Sequence, residues 1–269
     1  MDIKELQEMS RIVRGDVIRM LGEAKSGHPG GSLSCVDILT TLYFAEMDNN
    51  PQEKPVDRDR CILSKGHAAP ALYSVLAHKG YFPVEELLTL RKFGSRLQGH
   101  PDMKKTPGVD ASTGSLGQGS SIAVGLALGE KLKKGPHKIY SIVGDGEIQE
   151  GQFWEAMMSA NHYKLDNLTV ILDHNRLQID GTNDQVMTLG DIRAKLEAFG
   201  AKVIVVDGHD HAKLLEAYRT PVKNQFKFIL AETIKGKGVS FMENQVGWHG
   251  KAPNSDEVKQ ALAELGCSK

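Results

Sequence analysis

Asp145 stands between two glycines at the end of a β-rich run, in Ser141-Ile142-Val143-Gly144-Asp145-Gly146-Glu147. The next such run ends on Leu172-Asp173-His174-Asn175-Arg176-Leu177, which puts Asn175 30 residues beyond Asp145. If the two runs are neighbouring strands, a carboxylate and an amide oxygen sit side by side at one sheet edge. Hard divalent cations take oxygen ligands of this kind, and Mg2+ characteristically shares one or two carboxylates with substrate phosphates. Gly146, lacking Cβ, leaves its backbone amide open to close approach by a phosphate. Each spot alone also reads as a turn, Asp145 capping the next helix and Asn175 opening a loop. The pairing at two successive strand ends is what points to a metal-bridged phosphate.

Four of the ten histidines lie in Gly- or Pro-rich loops: His28 in SGHPGG, His67 in SKGHAAP, His100 in LQGHPD and His249 in GWHGKAP. Imidazoles so placed donate hydrogen bonds to phosphates and hydroxyls and move protons near neutral pH. Any one alone reads equally as a surface residue of a mobile loop. No pair of the four has the short spacing of a zinc site. Gly208-His209-Asp210-His211 is closely spaced, and there Asp210 reads as a cap for the following helix. Gly114-Ser115-Leu116-Gly117-Gln118-Gly119 has the order GxxGxG, only loosely a dinucleotide loop. P-loop, HExxH, EF-hand and GxSxG patterns are absent.

These groups need a scaffold with several strand ends on one side. Ile3, Leu6, Ile12, Val13, Val17, Met20 and Leu21 recur at helical spacing, so the first 45 or so residues predict two helices around the glycine-rich loop Ser26 to Gly31. Cys35 to Met47 predicts a buried helix. Strand-like runs follow at Arg60 to Leu63, Lys138 to Val143, Leu168 to Asp173, Lys202 to Val206 and Phe226 to Glu232, each flanked by helix-period segments. A last helix is expected at Asp256 to Leu265. Alternating strands and helices, with strands apolar on both faces, predict a parallel sheet covered on both sides, its binding loops at the strand ends.

With 269 residues, the chain is long enough to bury roughly 70–75% of its unfolded surface. Lys plus Arg number 33 against 34 Asp plus Glu, a net −1 without a dense basic block. That argues against a nucleic-acid partner or a membrane patch. No apolar stretch reaches membrane-span length and the start lacks a secretory signal, so a cytoplasmic location is expected. Cys35, Cys61 and Cys267 are scattered, without CxxC spacing, which predicts neither a disulfide framework nor a zinc ribbon.

SGHPGG, LSKGHAAPALY, GHPD, TGSLGQG, GDGEIQEGQFWEA, LDHNRLQIDG, ETIKGKGVSFME and GWHGKAP follow one another in a family order. Over nearly its whole length the chain resembles the N-terminal, thiamine-diphosphate-binding part of transketolase. The family's motif starting Gly-Asp-Gly closes on Asn-Asn. Here His174 takes the penultimate place and Asn175 is retained. The resemblance implies an α/β/α three-layer, thiamine-diphosphate-binding fold with a mostly parallel sheet. It implies that Asp145, Asn175 and the Leu177 carbonyl hold Mg2+ or Ca2+, with Gly144, Gly146, Glu147, His67 and His249 toward the diphosphate. Gly114, Ser115 and Leu116 would contact the thiamine body. His28 and His100 would meet sugar hydroxyls, His67 and His249 assisting proton movement at the donor carbon. Asp173 would orient His67 or a metal-bound water, and Glu150 and Glu155 would face a partner subunit.

The implied activity is transfer of a two-carbon ketol unit from a ketose phosphate to an aldose phosphate, the cofactor providing the electron sink. Residues 1–269 read as a single domain. No second sheet-forming half supplies a pyrimidine-binding domain, a C-terminal domain or the arginines that grip a sugar phosphate. The expectation is the N-terminal subunit of a split transketolase, active only with a separate C-terminal subunit, in an assembly of two chains of each kind. The alternatives are a subunit of a 1-deoxyxylulose-phosphate synthase or a 2-oxoacid dehydrogenase, a non-catalytic cofactor-binding regulator, and a plain Mg2+-dependent phosphate binder. SGHPGG and the four loop histidines favour the sugar-handling reading.

Overall fold

Side-chain alternation along the inner strands sets the architecture. In β3, Leu168–His174, Val170 and Leu172 enter one apolar cluster while Ile171 enters another. In β5, Lys227–Glu232, Phe228 and Leu230 face the first cluster and Ile229 the second. Strands apolar on both faces must be covered on both faces. The computed structural model, which describes residues 1–267, has five strands in the order β1-β2-β3-β5-β4, all parallel. The others are β1, Arg60–Leu63, β2, Ile139–Gly144, and β4, Lys202–Asp207. All five expected strands are present within one residue at each end.

One face is covered by α1, Ile3–Ala24, α2, Pro29–Ser34, α3, Val36–Thr41, α4, Ala69–His78, and, after a long gap in the chain, a helix at 211–219. The other face carries α5, Gln118–Leu132, and α6, Gly151–His162. The short α7, Asn183–Val186, and α8, Ile192–Ala198, follow β3. The 211–219 helix is α9, His211–Arg219, and α10, Ser255–Glu264, packs on α1. Asp2 and Glu5 form a reciprocal capping box that starts α1. Asp210 caps α9 by accepting from Ala212 and Lys213, as its sequence context suggests.

Two expectations are corrected. Residues 26–31 are not a loop throughout, because α2 begins at Pro29, whose fixed φ and missing N–H suit a first helical position. Gly30 and Gly31 are there for close approach, since a Cβ on Gly30 would lie 2.9 Å from the Trp248 carbonyl and one on Gly31 3.2 Å from His67. The helix expected from Cys35 to Met47 is two pieces, α3 passing at Leu42 into a π-helical turn, Leu42–Glu46.

The end of β1 meets the start of α5 with no space to spare. A Cβ on Gly119 would fall 2.6 Å from Ser64 Cβ and 2.7 Å from Ser64 Cα. Gly119→Ala is expected to cost about 1–3 kcal/mol through overpacking against backbone, read as a lower midpoint in denaturant unfolding. An unchanged midpoint would mean that this junction is loose.

Candidate active site

The four strand ends β1, β2, β3 and β5 open on the same side. β2 and β3 are registered so that Gly144 pairs with Asp173, which places Asp145 and His174 across from each other just beyond the hydrogen-bonded ladder. A cleft of about 380 Å³ lies over this edge, bordered by His28, Lys65, His67, Asp145, Asn175, Leu177, Lys235 and His249, and by Gly114, Leu116, Gly144 and Gly146. The carboxyl edge of a parallel sheet is where ligands bind in such folds.

The two proposed metal ligands are adjacent and shielded. Asp145 is 3% exposed, with one oxygen 2.5 Å from the Arg176 amide and the other 2.5 Å from His174 Nδ1. Asn175 is 8% exposed, and its Oδ1 accepts the Leu177 amide at 3.2 Å. Burial lowers the affinity of His174 for a proton, but the hydrogen bond to Asp145 and the charge of that carboxylate together outweigh it, and the net pKa is raised. Among the described residues, no three His, Cys, Asp or Glu side chains gather as a metal set. One carboxylate, one amide oxygen and a main-chain carbonyl fit a hard cation that draws its remaining ligands from phosphate and water.

The loop histidines converge from four distant stretches of chain. Ring centroids lie 5.3 Å apart for His28 and His67, 5.5 Å for His28 and His249, 5.4 Å for His67 and His249, and 6.3 Å for His28 and His100. Their proton affinities are depressed first by burial and then by neighbouring positive charge. His28 falls to about 4, with Arg91 next among the causes. His249 falls to about 3, with Lys235 next. His67 lies well below the usual value and His100 is lowered too. The four rings are therefore neutral at physiological pH, each with one donor and one acceptor nitrogen. His28 Nδ1 is buried without a hydrogen-bond partner, an orphan that suits a polar ligand.

Lys65 and Lys235 were not picked out from the sequence. Lys65 Nζ forms a buried ion pair with Asp173 at 2.5 Å and donates to the Gly31 carbonyl at 2.8 Å. Asp173 also accepts from Ser34 at 2.6 Å and Thr233 at 2.5 Å. Burial opposes both charges, but their attraction prevails, raising the Lys65 pKa and lowering that of Asp173. Asp173 is thus directed to Lys65, which corrects the expectation that it orients His67. Lys235 is 1% exposed, its Nζ 3.0 Å from His249 Nδ1 and 3.5 Å from the Gln178 carbonyl. Among the described residues it has no carboxylate ion-pair partner. Burial, then Lys65, brings its pKa down to about 8. A signal existed for both: each is a lysine just after an apolar strand run, where the chain turns into the cleft.

Two expected cofactor residues take different places. Glu147 borders the cleft, but its carboxylate accepts from the Gly117 and Gly144 amides at 3.0 and 3.1 Å and from Ser64, so it ties loops together. Burial raises its pKa in spite of those bonds. Ser115 is exposed and lies outside the cleft lining, unlike its neighbours Gly114 and Leu116.

A parallel sheet with acid, amide, histidines and lysines at its carboxyl edge defines a phosphate-anchoring α/β domain, and comparison with known proteins narrows the class. Residues 4–269 match the family described as transketolase, thiamine diphosphate binding domain, and the chain belongs to that family. The 6-deoxy-6-sulfo-D-fructose transketolase subunit SqwG of Clostridium sp. (strain MSTE9) is 44% identical, over 97% of this chain and 96% of its own length. An apulose-4-phosphate transketolase subunit of Phocaeicola vulgatus is 41% identical, over 98% and 95%. The transketolase of Campylobacter jejuni superposes with a TM-score of 0.91 at 34% identity, over 99% of this chain but 43% of that one. The chain thus spans about two fifths of the solved transketolases and nearly all of the named subunits. Its fold is the thiamine-diphosphate-binding fold of those structures.

The half-buried, neutral His28 and His249 set a pH dependence. Below the ordinary value of 6.5 the unfolded chain takes up protons that folded His28 and His249 refuse until about 4 and about 3, so stability falls as pH drops through that window. Unfolding free energy measured from pH 7 to 4 should fall less steeply in a His28→Gln/His249→Gln variant than in the wild type. Equal slopes would contradict the assignment.

Proposed function

We propose that this chain is the thiamine-diphosphate-binding subunit of a two-chain transketolase. In this reading it transfers a two-carbon ketol unit from a ketose phosphate to an aldose phosphate. The observation that carries this is the gathering of neutral histidines beside the Asp145 and Asn175 turns: His28, His67 and His249 line one cleft with two buried lysines, and His100 packs on His28 just outside that lining. A plain phosphate binder would leave the histidines without a task.

Thiamine diphosphate, when bound, supplies the electron sink for breaking a carbon–carbon bond beside a carbonyl. Asp145, Asn175 and the Leu177 carbonyl would hold Mg2+ or Ca2+ against the diphosphate. Gly144 and Gly146 would leave it room, and Lys235, His67 and His249 would meet its negative charge. Gly114 and Leu116 would border the thiamine body, with Ser115 and Glu147 shaping the loops behind. His28, with its orphan nitrogen, and the exposed His100 that packs on it would orient sugar hydroxyls. His67 and His249, being neutral, are able to accept and return a proton at the sugar's reacting oxygens without first losing one.

The remaining site is proposed to come from a C-terminal transketolase subunit on a separate chain. It would carry the pyrimidine-binding domain and the groups that grip the substrate's anionic end, in a two-fold assembly of two chains of each kind. Relatives of nearly the same length that are named as subunits support this. Among the described residues no helix is long and apolar enough to cross a membrane. A cytoplasmic setting is proposed with the sugar-phosphate substrates.

Two-carbon transfer should appear when the chain is mixed with its partner and be absent from either alone. Turnover by this chain alone would overturn the two-chain reading. In the mixed enzyme, His100→Ala should leave thiamine diphosphate affinity near the wild-type value and lower ketose turnover by about 10²-fold or more. Equal loss of both would place His100 against the cofactor.

A further inference from the structure

The Gly208-His209-Asp210-His211 motif is only partly accounted for by Asp210 capping α9. His209 bridges two elements. Its Nδ1 lies 2.7 Å from Asp37 Oδ2, and its Nε2 accepts the Ile234 backbone amide at 2.9 Å. Because Nε2 receives a peptide N–H, the ring proton sits on Nδ1 and points at Asp37, so the tautomer is fixed by its two partners. Asp37, on α3, is held in turn by a two-pronged contact with Arg14 of α1, at 3.0 and 2.6 Å, and Arg14 Nε donates to the Lys237 carbonyl at 3.1 Å. His211 flanks the same carboxylate and bonds Thr41 at 2.6 Å.

Lys235 sits between the two backbone groups that this cluster grips. The segment is further pinned by Gly236 donating to the Gly30 carbonyl at 3.0 Å and by Asn244 donating to the Lys235 carbonyl at 2.9 Å. The Lys235 side chain is buried with its Nζ 3.0 Å from His249 Nδ1, so packing leaves it little freedom and the position of its ammonium follows the peptide it hangs from. In a buried cleft that peptide decides whether the charge reaches an anion. His209 is far from the cleft in sequence and borders it nowhere, yet the hydrogen bond from the residue before Lys235 ends on its ring.

We propose that His209, oriented by Asp37, is a positioning residue for Lys235, setting the backbone from which that ammonium meets the cofactor's diphosphate. The inference rests on the reading that this cleft holds thiamine diphosphate.

The assembled two-chain enzyme is titrated with thiamine diphosphate and Mg2+ by calorimetry, alongside an unfolding midpoint for each variant. His209→Asn keeps a donor in the place of Nδ1 and loses the acceptor at Nε2. His209→Gln places an amide oxygen in the place of Nε2. H209N is expected to weaken cofactor binding about tenfold, as loss of supporting hydrogen bonds around a ligand site does, and H209Q to restore it. With Lys235→Ala in the background, H209N should have no further effect on affinity, because its action passes through the missing ammonium. H209F, which fills the ring's space without either nitrogen, takes the place of H209N if that variant unfolds at assay temperature, and should show the same loss. H209N binding as the wild type does, or weakening affinity equally with and without Lys235, would overturn this inference while leaving the proposed function standing. A wild-type assembly that takes up no cofactor would overturn the proposed function itself and this inference with it.

Discussion

The site depends on one buried ion pair. Lys65 and Asp173 come from the ends of β1 and β3, and through Gly31, Ser34 and Thr233 their hydrogen bonds reach α2 and the end of β5. Each element so joined carries a residue of the cleft: His67 follows Lys65, Asn175 follows Asp173, Lys235 follows Thr233, and His28 precedes α2. Removing one charge from such a pair leaves the other buried and unpaired, typically at about 3–5 kcal/mol. Its geometric consequence matters more here, because four loops separated by long stretches of chain meet at this one pair.

Around that contact the cleft divides its electrostatics. Asp145 and Asn175 offer oxygen to a cation, while Lys235 keeps a positive charge without a carboxylate ion-pair partner among the described residues. The histidines, desolvated and beside lysine and arginine, stay neutral. Neutral rings are the useful form near a reacting sugar, since they both donate and accept. Burial first, and then the same positive surroundings that would draw in a diphosphate, keep the imidazoles unprotonated.

Much of this was legible in the sequence because it is written in local pattern. Apolar runs ending in Gly-Asp-Gly and Asp-His-Asn give both the strand and the polar side chain at its end, and the strand limits differ by at most one residue from those observed. What was not legible depends on contacts across the chain. Nothing near Asp173 says that its carboxylate meets Lys65, 108 residues away. Gly30 and Gly31 look like loop glycines until Trp248 and His67 are seen packed against them. Glu147 stands in the ligand motif, yet its oxygens are taken by backbone amides of two loops. The cap of α10 was readable and missed: Asn254 with Glu257 forms a capping box that starts the helix one residue earlier than expected.

The most direct test of the account is a crystal structure of the two-chain assembly grown with thiamine diphosphate and Mg2+. The account predicts the metal bound to Asp145, Asn175 and the Leu177 carbonyl, with the diphosphate beside it and within reach of Lys235 and His249. A cofactor seated elsewhere, or a metal that passes over Asp145 and Asn175 for other ligands, would contradict it.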